Sequence, residues 1–154
     1  MQEKRYIPRV LDAELAGLLA AVPALTLEGA KGVGKTESAA RVSETIRRFD
    51  VPAEREVASA DPDLALQGKR PLLIDEWQRL PPIWDAVKRA VDQGAAAGSF
   101  LLTGSASPGN AGTHSGAGRI VSLRMRPLSF CEREREMPTV SLAELLSGQR
   151  QPVA

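Results

Sequence analysis

ALTLEGAKGVGKT, residues 24–36, joins a short apolar run to a glycine-rich stretch that closes on a lysine and a threonine. Ala24 to Glu28 has the length and apolar character of a buried strand, and it stops at Gly29. Gly29, Ala30, Lys31, Gly32, Val33, Gly34, Lys35 and Thr36 then match the phosphate-loop pattern G-x-x-x-x-G-K-[ST] at every fixed position. Glycines let backbone N–H groups turn inward around phosphate oxygens with no Cβ in the way, and the N-terminus of a helix beginning at Lys35 adds partial positive charge. The Lys35 ammonium is suited to the β- and γ-phosphates, and the Thr36 hydroxyl is a hard oxygen ligand for Mg²⁺. A glycine turn with a chance lysine would give the same letters, but not the strand before and the helix after. The segment predicts a site for ATP with Mg²⁺; no base-reading motif separates ATP from GTP.

Mg²⁺ on a triphosphate needs oxygen ligands beyond one hydroxyl. Leu72 to Glu76 reads LLIDE, an apolar run without polar alternation, as in a central parallel strand covered on both faces. Asp75 stands at its carboxyl end, where parallel sheets place ligands, and is the expected second metal residue. Glu76, one position on, is suited to polarise a water for attack on the γ-phosphate. The other reading, a pair of solvated strand-end charges, weakens once the phosphate loop is present. Phe100 to Thr103 forms a further apolar strand, and Thr103-Gly104-Ser105 follows. Either hydroxyl could sense the γ-phosphate or hold the attacking water, with Ser105 the chosen candidate; a plain turn leaving the sheet carries equal weight. Arg119 precedes the last strand and could stabilise transition-state charge in its own subunit or a neighbour's, although a solvated arginine is the commoner case.

The remaining chain fits around these points. Leu11, Leu15, Leu18, Leu19 and Val22 recur at helical spacing up to Pro23. The helix from Lys35 is expected to carry Ala39, Val42, Ile46 and Phe49 on one face and to break at Asp50-Val51-Pro52. A weak strand is expected near Arg55 to Ser59, and Pro81 and Pro82 open a helix with Leu80, Trp84, Val87 and Val91 on one stripe. Trp77 and Trp84 are expected in the core. Ser105 to Gly118, poor in apolar residues, reads as a mobile loop, and His114 within it as solvated. Val121, Leu123 and Met125 alternate with Ser122, Arg124 and Arg126, the pattern of an edge strand. Two short helices, around Phe130 to Glu136 and Leu142 to Leu146, complete the reading, with Glu132 and Arg135, and Arg133 and Glu136, as surface pairs. Strands alternating with helices give a mostly parallel sheet covered on both faces.

The 154 residues suit one domain, and 43% hydrophobic with 25% charged content excludes wholesale disorder. Twenty Lys and Arg against nineteen Asp and Glu leave a net charge of +1, which gives no global field for nucleic acid or an anionic membrane. No apolar stretch is long enough to span a membrane, and MQEKRYIPR lacks the layout of a secretory signal, so a cytoplasmic protein is expected. Cys131 is the one cysteine, read as a structural thiol.

Together GAKGVGKT, LLIDEWQ, LLTGSAS and RPLSF resemble a prokaryotic group of AAA-superfamily P-loop ATPases, over nearly the whole chain from Tyr6 to Leu146. The resemblance implies a three-layer α/β/α sandwich, five-stranded, with the phosphate-loop strand beside the TGS strand. It implies Lys35, Thr36, Asp75 and Glu76 in the roles above, and an arginine at Arg119 common to the group. Many AAA proteins end the strand before Ser105 in asparagine, which weakens the sensing role of Ser105. Members usually carry a further C-terminal domain, sometimes likened to nucleases; with the sequence ending at Ala154, that domain and the helical lid are expected to be missing, either because the sequence is a fragment or because a natural short form borrows a partner. Nucleic acid enters only by that association. The leading reading is a Mg²⁺-dependent ATPase; a nucleotide-binding switch with little turnover is the alternative, and a small-molecule kinase stands third.

Overall fold

Strands whose every residue is apolar or covered must be walled in on both faces, and three strands here meet that condition. In the computed structural model, which describes residues 6–105, 119–133, 143 and 146–148, β1 (Ala24–Glu28), β3 (Leu72–Asp75) and β4 (Phe100–Gly104) are buried throughout. β2 (Thr45–Arg48) and β5 (Val121–Arg124) flank them and alternate between covered and exposed positions. The five strands form one sheet in the order β2-β3-β4-β1-β5, every neighbouring pair parallel. The sheet is thus wholly parallel.

The pleat sorts the core into two layers. Leu72, Ile74, Phe100 and Leu102 face Trp84 and Val87 of α5 (Pro82–Asp92), Ala58 of α3 (Pro52–Ala60) and Ala65 of α4 (Pro62–Ala65). Leu25, Leu27, Leu73, Leu101 and Leu123 face Leu15 and Leu19 of α1 (Leu11–Ala21) and Ala39 of α2 (Lys35–Arg41). Each fully buried leucine contributes about 1.5–3 kcal/mol. A slip of one residue in any central strand would exchange its two faces, so packing fixes the register. It aligns Leu27 with Thr103 and Thr103 with Asp75 along one edge of the sheet.

Two sequence expectations fail between Lys35 and Ser59. The helix from Lys35 ends at Arg41 instead of running to Phe49, and Ile46 lies on β2. Ser43 Oγ donates to the Ala39 carbonyl at 2.8 Å, a side-chain bond that competes with helix continuation. The β-branched Thr45 and Ile46 then gain backbone partners on β3, opposite Leu72 and Leu73. Helical spacing of apolar residues was present, but pairing at the sheet edge overrode it. The strand expected near Arg55 to Ser59 is instead α3, started by Pro52 in its first turn and composed of good helix formers.

The other elements follow the reading: α5 begins at Pro82, and β5 is an edge strand with Arg124 and Arg126 exposed. The expected loop beyond Ser105, with His114, lies outside the described residues. Of the two last helices, a single tight turn, Cys131–Arg133, is described, with helical residues at Ala143 and Leu146; Arg135 and Glu136 lie outside the described residues. Cys131 is exposed, Sγ 3.1 Å from Ser129 Oγ, not a buried structural thiol.

Glu132 is also not a solvated helix charge. Its Oε1 accepts from Arg9 Nε at 3.0 Å and from the Val10 N–H at 2.8 Å. Oε2 accepts from the Ser129 N–H and hydroxyl, and the two charged side chains are 7% and 8% exposed. Arg9 extends the link, donating to the carbonyls of Val33 and Arg126 at 2.7 Å each. One ion pair thereby fastens the turn after β5 and the start of α1 to the phosphate loop. The Ser129 N–H, chief among these donors, holds the Glu132 carboxyl down at about 2 against its burial. A carboxyl depressed in the folded state stabilises it above the ordinary value of 4.5, and that contribution drains away as pH falls toward about 2. Denaturant midpoints measured from pH 6 downward should fall across this window. Glu132→Gln should lower stability at pH 7 by about 3 kcal/mol, by leaving Arg9 buried without its counter-charge, and should flatten the acid slope. Parallel pH profiles for the two proteins would contradict the assignment.

Candidate functional site

The glycine-rich loop leaves the carboxyl end of β1 and enters α2. At Gly29 the chain takes φ 152, and a Cβ there would stand 2.3 Å from the Met125 carbonyl oxygen, so no other residue fits beside β5. At Gly34, the residue capping α2, φ is 100, a left-handed conformation that glycine adopts without penalty. Lys35 is 6% exposed and its Nζ donates to the carbonyls of Gly29 and Ala30 at 2.8 and 2.9 Å, folding the side chain back across its own loop. Burial pushes its pKa below the ordinary lysine value, opposed by the Glu76 and Asp75 carboxylates. The lysine charge and both carboxylates therefore share one electrostatic neighbourhood.

Asp75 ends β3 with 3% exposure. Its Oδ1 accepts from Thr36 Oγ1 at 2.8 Å and from Thr103 Oγ1 in a short contact. Those hydroxyls come from the first turn of α2 and the end of β4, so a single carboxylate oxygen ties together three elements. Of the two hydroxyls at the end of β4, the sequence reading chose Ser105 for a polar role. Here Thr103 turns inward to Asp75, while Ser105 is exposed just beyond the strand.

Glu76 is the one non-glycine among the described residues with positive φ, at φ 57 and ψ 44. A left-handed conformation costs about 1–2 kcal/mol for such a residue. It bends the chain out of β3 so that Trp77 drops into the core, fully buried, its ring centroid 4.7 Å from that of Trp84. The next residue, Gln78, returns toward Glu76: its Nε2 lies 2.5 Å from Glu76 Oε2 and 3.3 Å from Ser105 Oγ. Sequence reasoning passed over Gln78, although it closes the DEWQ stretch. A lone glutamine carries no titration or metal-ligand signal by which to find it.

Arg119 is not brought to this cluster. It precedes β5, and its Nε donates to Asp92 Oδ1 at 2.5 Å, at the C-terminal end of α5, with both side chains about half exposed. β5 runs parallel to β1, with Val121 opposite Leu25 and Arg124 opposite Glu28. Arg119 therefore stands at the amino edge of the sheet and the phosphate loop at the carboxyl edge, about 13 Å of strand away at ~3.3 Å per residue.

The residues fit a magnesium nucleotide on two counts. The donors at the end of β3 are a hydroxyl and a carboxylate, hard oxygens of the kind Mg²⁺ selects, and Mg²⁺ commonly completes its shell with phosphate oxygens and water rather than a protein cage. Among the described residues no cluster of three or more His, Cys, Asp or Glu offers a site of the other kind. The loop beside them keeps its curvature only with glycine at Gly29, as the backbone cradle of a phosphate requires.

Gly104 is the joint that lets these parts meet. A Cβ on it would stand 2.6 Å from Gln78 Oε1 and 2.7 Å from Trp77 Nε1, and the indole, fully buried against the tilted Trp84 ring, has little room to retreat. Gly104→Ala should lower stability by about 1–3 kcal/mol, read as a drop in the thermal unfolding midpoint. An unchanged midpoint would mean that the Trp77 and Gln78 side chains are not held there.

A protein-family model described as an AAA domain matches residues 22–134. The chain is also 34% identical over 123 residues to two uncharacterised proteins, one from Mycobacterium bovis and one from Mycobacterium tuberculosis, covering 76% of this chain. It spans 28% of the length of each. No helix of the described residues is long and apolar enough to cross a membrane. The family match takes in β1 through β5, the glycine loop and the Asp75-Glu76 pair, and with the β2-β3-β4-β1-β5 sheet it establishes that the chain belongs to the AAA domain family of P-loop proteins.

Proposed function

We propose that this chain binds ATP with Mg²⁺ and hydrolyses it, and that its site is Gly29 to Thr36 with Asp75, Glu76 and Ser105. The observation that carries the reading is the 2.8 Å contact between Thr36 Oγ1 and Asp75 Oδ1, which sets two hard oxygens side by side at the foot of a glycine loop. Mg²⁺, when bound, neutralises charge on the phosphate oxygens and orients them. The backbone N–H groups of Ala30 to Gly34 cradle the phosphates, and the Lys35 ammonium turns from the Gly29 and Ala30 carbonyls to phosphate oxygens. Thr36 and Asp75 supply the metal's protein ligands. Glu76 takes the proton of the water that displaces ADP from the γ-phosphorus, and Ser105 orients that water or the leaving phosphate.

Arg119 has a place in this reading as a residue given to another copy of the chain. Its position at the amino edge of the sheet puts it out of reach of its own phosphate loop, while its exposure leaves it accessible to a neighbour. An assembly, or a partner protein, is then part of the active form, and the work done with ATP belongs to the larger arrangement. A switch with little turnover would use the same binding groups.

Steady-state phosphate release distinguishes the two. Glu76→Gln should bind ATP within about threefold of the native chain and turn it over at least about 100-fold more slowly. Equal rates would remove Glu76 from the chemistry, and binding without turnover in the native chain would favour the switch. For Arg119, mixing Arg119→Ala with Glu76→Gln protein should restore part of the lost turnover, because each supplies what the other lacks. Absence of any recovery over a range of concentrations would remove Arg119 from a neighbour's site.

A further inference from the structure

DEWQ and TGS read as two separate motifs in the sequence, yet their last residues meet. Gln78 Nε2 lies between Glu76 Oε2, 2.5 Å away, and Ser105 Oγ, 3.3 Å away. A carboxylate can only accept, so the amide must present its NH₂ to Glu76 and turn its oxygen inward. That oxygen is buried with no partner, and so is the Trp77 indole N–H. Both border the point above Gly104 that a Cβ would occupy, at 2.6 and 2.7 Å. A buried donor and a buried acceptor left unpaired near each other cost about 1–3 kcal/mol each, and a modest swing of Gln78 toward the indole would relieve both. The amide, clamped to Glu76 as it stands, therefore has a second partner within reach in the Trp77 indole.

We propose that Gln78 is a positioning residue that couples the Ser105 hydroxyl to the Glu76 carboxylate, so that what Ser105 touches decides where the carboxylate is held. This rests on the ATPase reading, with Glu76 as base and Ser105 at the γ-phosphate. A γ-phosphate engaging Ser105 loosens the amide's second contact, and Gln78 then turns toward the Trp77 N–H, freeing Glu76 to accept from water. Hydrolysis removes that engagement and the clamp returns. No covalent step involves Gln78.

The two tryptophans, Trp77 and Trp84, are the only ones in the chain; the Trp77 indole borders the amide above Gly104 and lies tilted against the Trp84 ring, so their fluorescence reports its movement. The experiment compares native chain, Gln78→Leu and Gln78→Glu with Mg²⁺ and either ADP or a non-hydrolysable ATP analogue. In the native chain the analogue and ADP should give different emission spectra. In Gln78→Leu the difference should vanish, while both nucleotides still bind within about threefold of native affinity. Gln78→Glu sets a second carboxylate against Glu76, and like charges so close share a proton. Its kcat should therefore be low at pH 7 and recover as pH rises, with KM little changed, whereas damage to packing would lower the rate at every pH alike. Native spectra that are identical for the two nucleotides, or a Gln78→Leu spectrum that still separates them, would overturn the proposal. The spectral comparison needs binding alone, so it decides the role of Gln78 even if turnover is absent. Failure of the native chain to bind either nucleotide would overturn both this proposal and the reading beneath it.

Discussion

Asp75 Oδ1 accepts from two threonine hydroxyls, and the rest of the site depends on that one oxygen. Thr36 comes from the first turn of α2 and Thr103 from the end of β4, while Asp75 itself ends β3. A carboxylate at 3% exposure would be costly to bury without donors, since an unpaired buried charge cannot recover its lost hydration. The two hydroxyls answer that cost and in doing so fix where the helix after the glycine loop starts relative to the sheet. Thr36, Asp75 and the strand that leads to Ser105 are consequently tied to one another by the fold itself.

A second fastening works from the other side. Arg9 and Glu132 form a nearly buried ion pair whose guanidinium also holds the Val33 and Arg126 carbonyls. Breaking either partner would leave a buried charge uncompensated, so the pair commits the start of α1 and the turn after β5 to the loop's outer wall. Between these two fastenings the loop has little room to rearrange. The Glu76-Gln78-Ser105 corner lies outside both fastenings; there one backbone residue is left-handed and two buried polar atoms lack partners.

Much of this was legible in the sequence, and the failures have identifiable physics. The glycine loop, the Asp75-Glu76 pair and the fully buried strands declare themselves because phosphate binding and burial on two faces admit few residue types. The stretch from Val42 to Ser59 was misread because Ile46 and Phe49 fall at helical spacing by chance, and only pairing with β3 turns Thr45–Arg48 into a strand. Glu132 looked like a solvated charge because its partner, Arg9, is 123 residues away in sequence. Gln78 closed the LLIDEWQ stretch behind the resemblance but carried no sign of a role of its own, since an amide gains meaning here only from the carboxylate and hydroxyl that folding sets beside it. Arg119 could be placed before a strand from sequence, but not at one edge of the sheet or the other.

Calorimetric titration of ATP, with Mg²⁺ and again with a chelator, into the native chain and Asp75→Asn would test the metal site most directly. If Thr36 and Asp75 hold magnesium beside the phosphates, Mg²⁺ should tighten ATP binding to the native chain by about tenfold or more and do little for Asp75→Asn. Equal tightening in both proteins would remove Asp75 from the metal's ligands and contradict the site at its base.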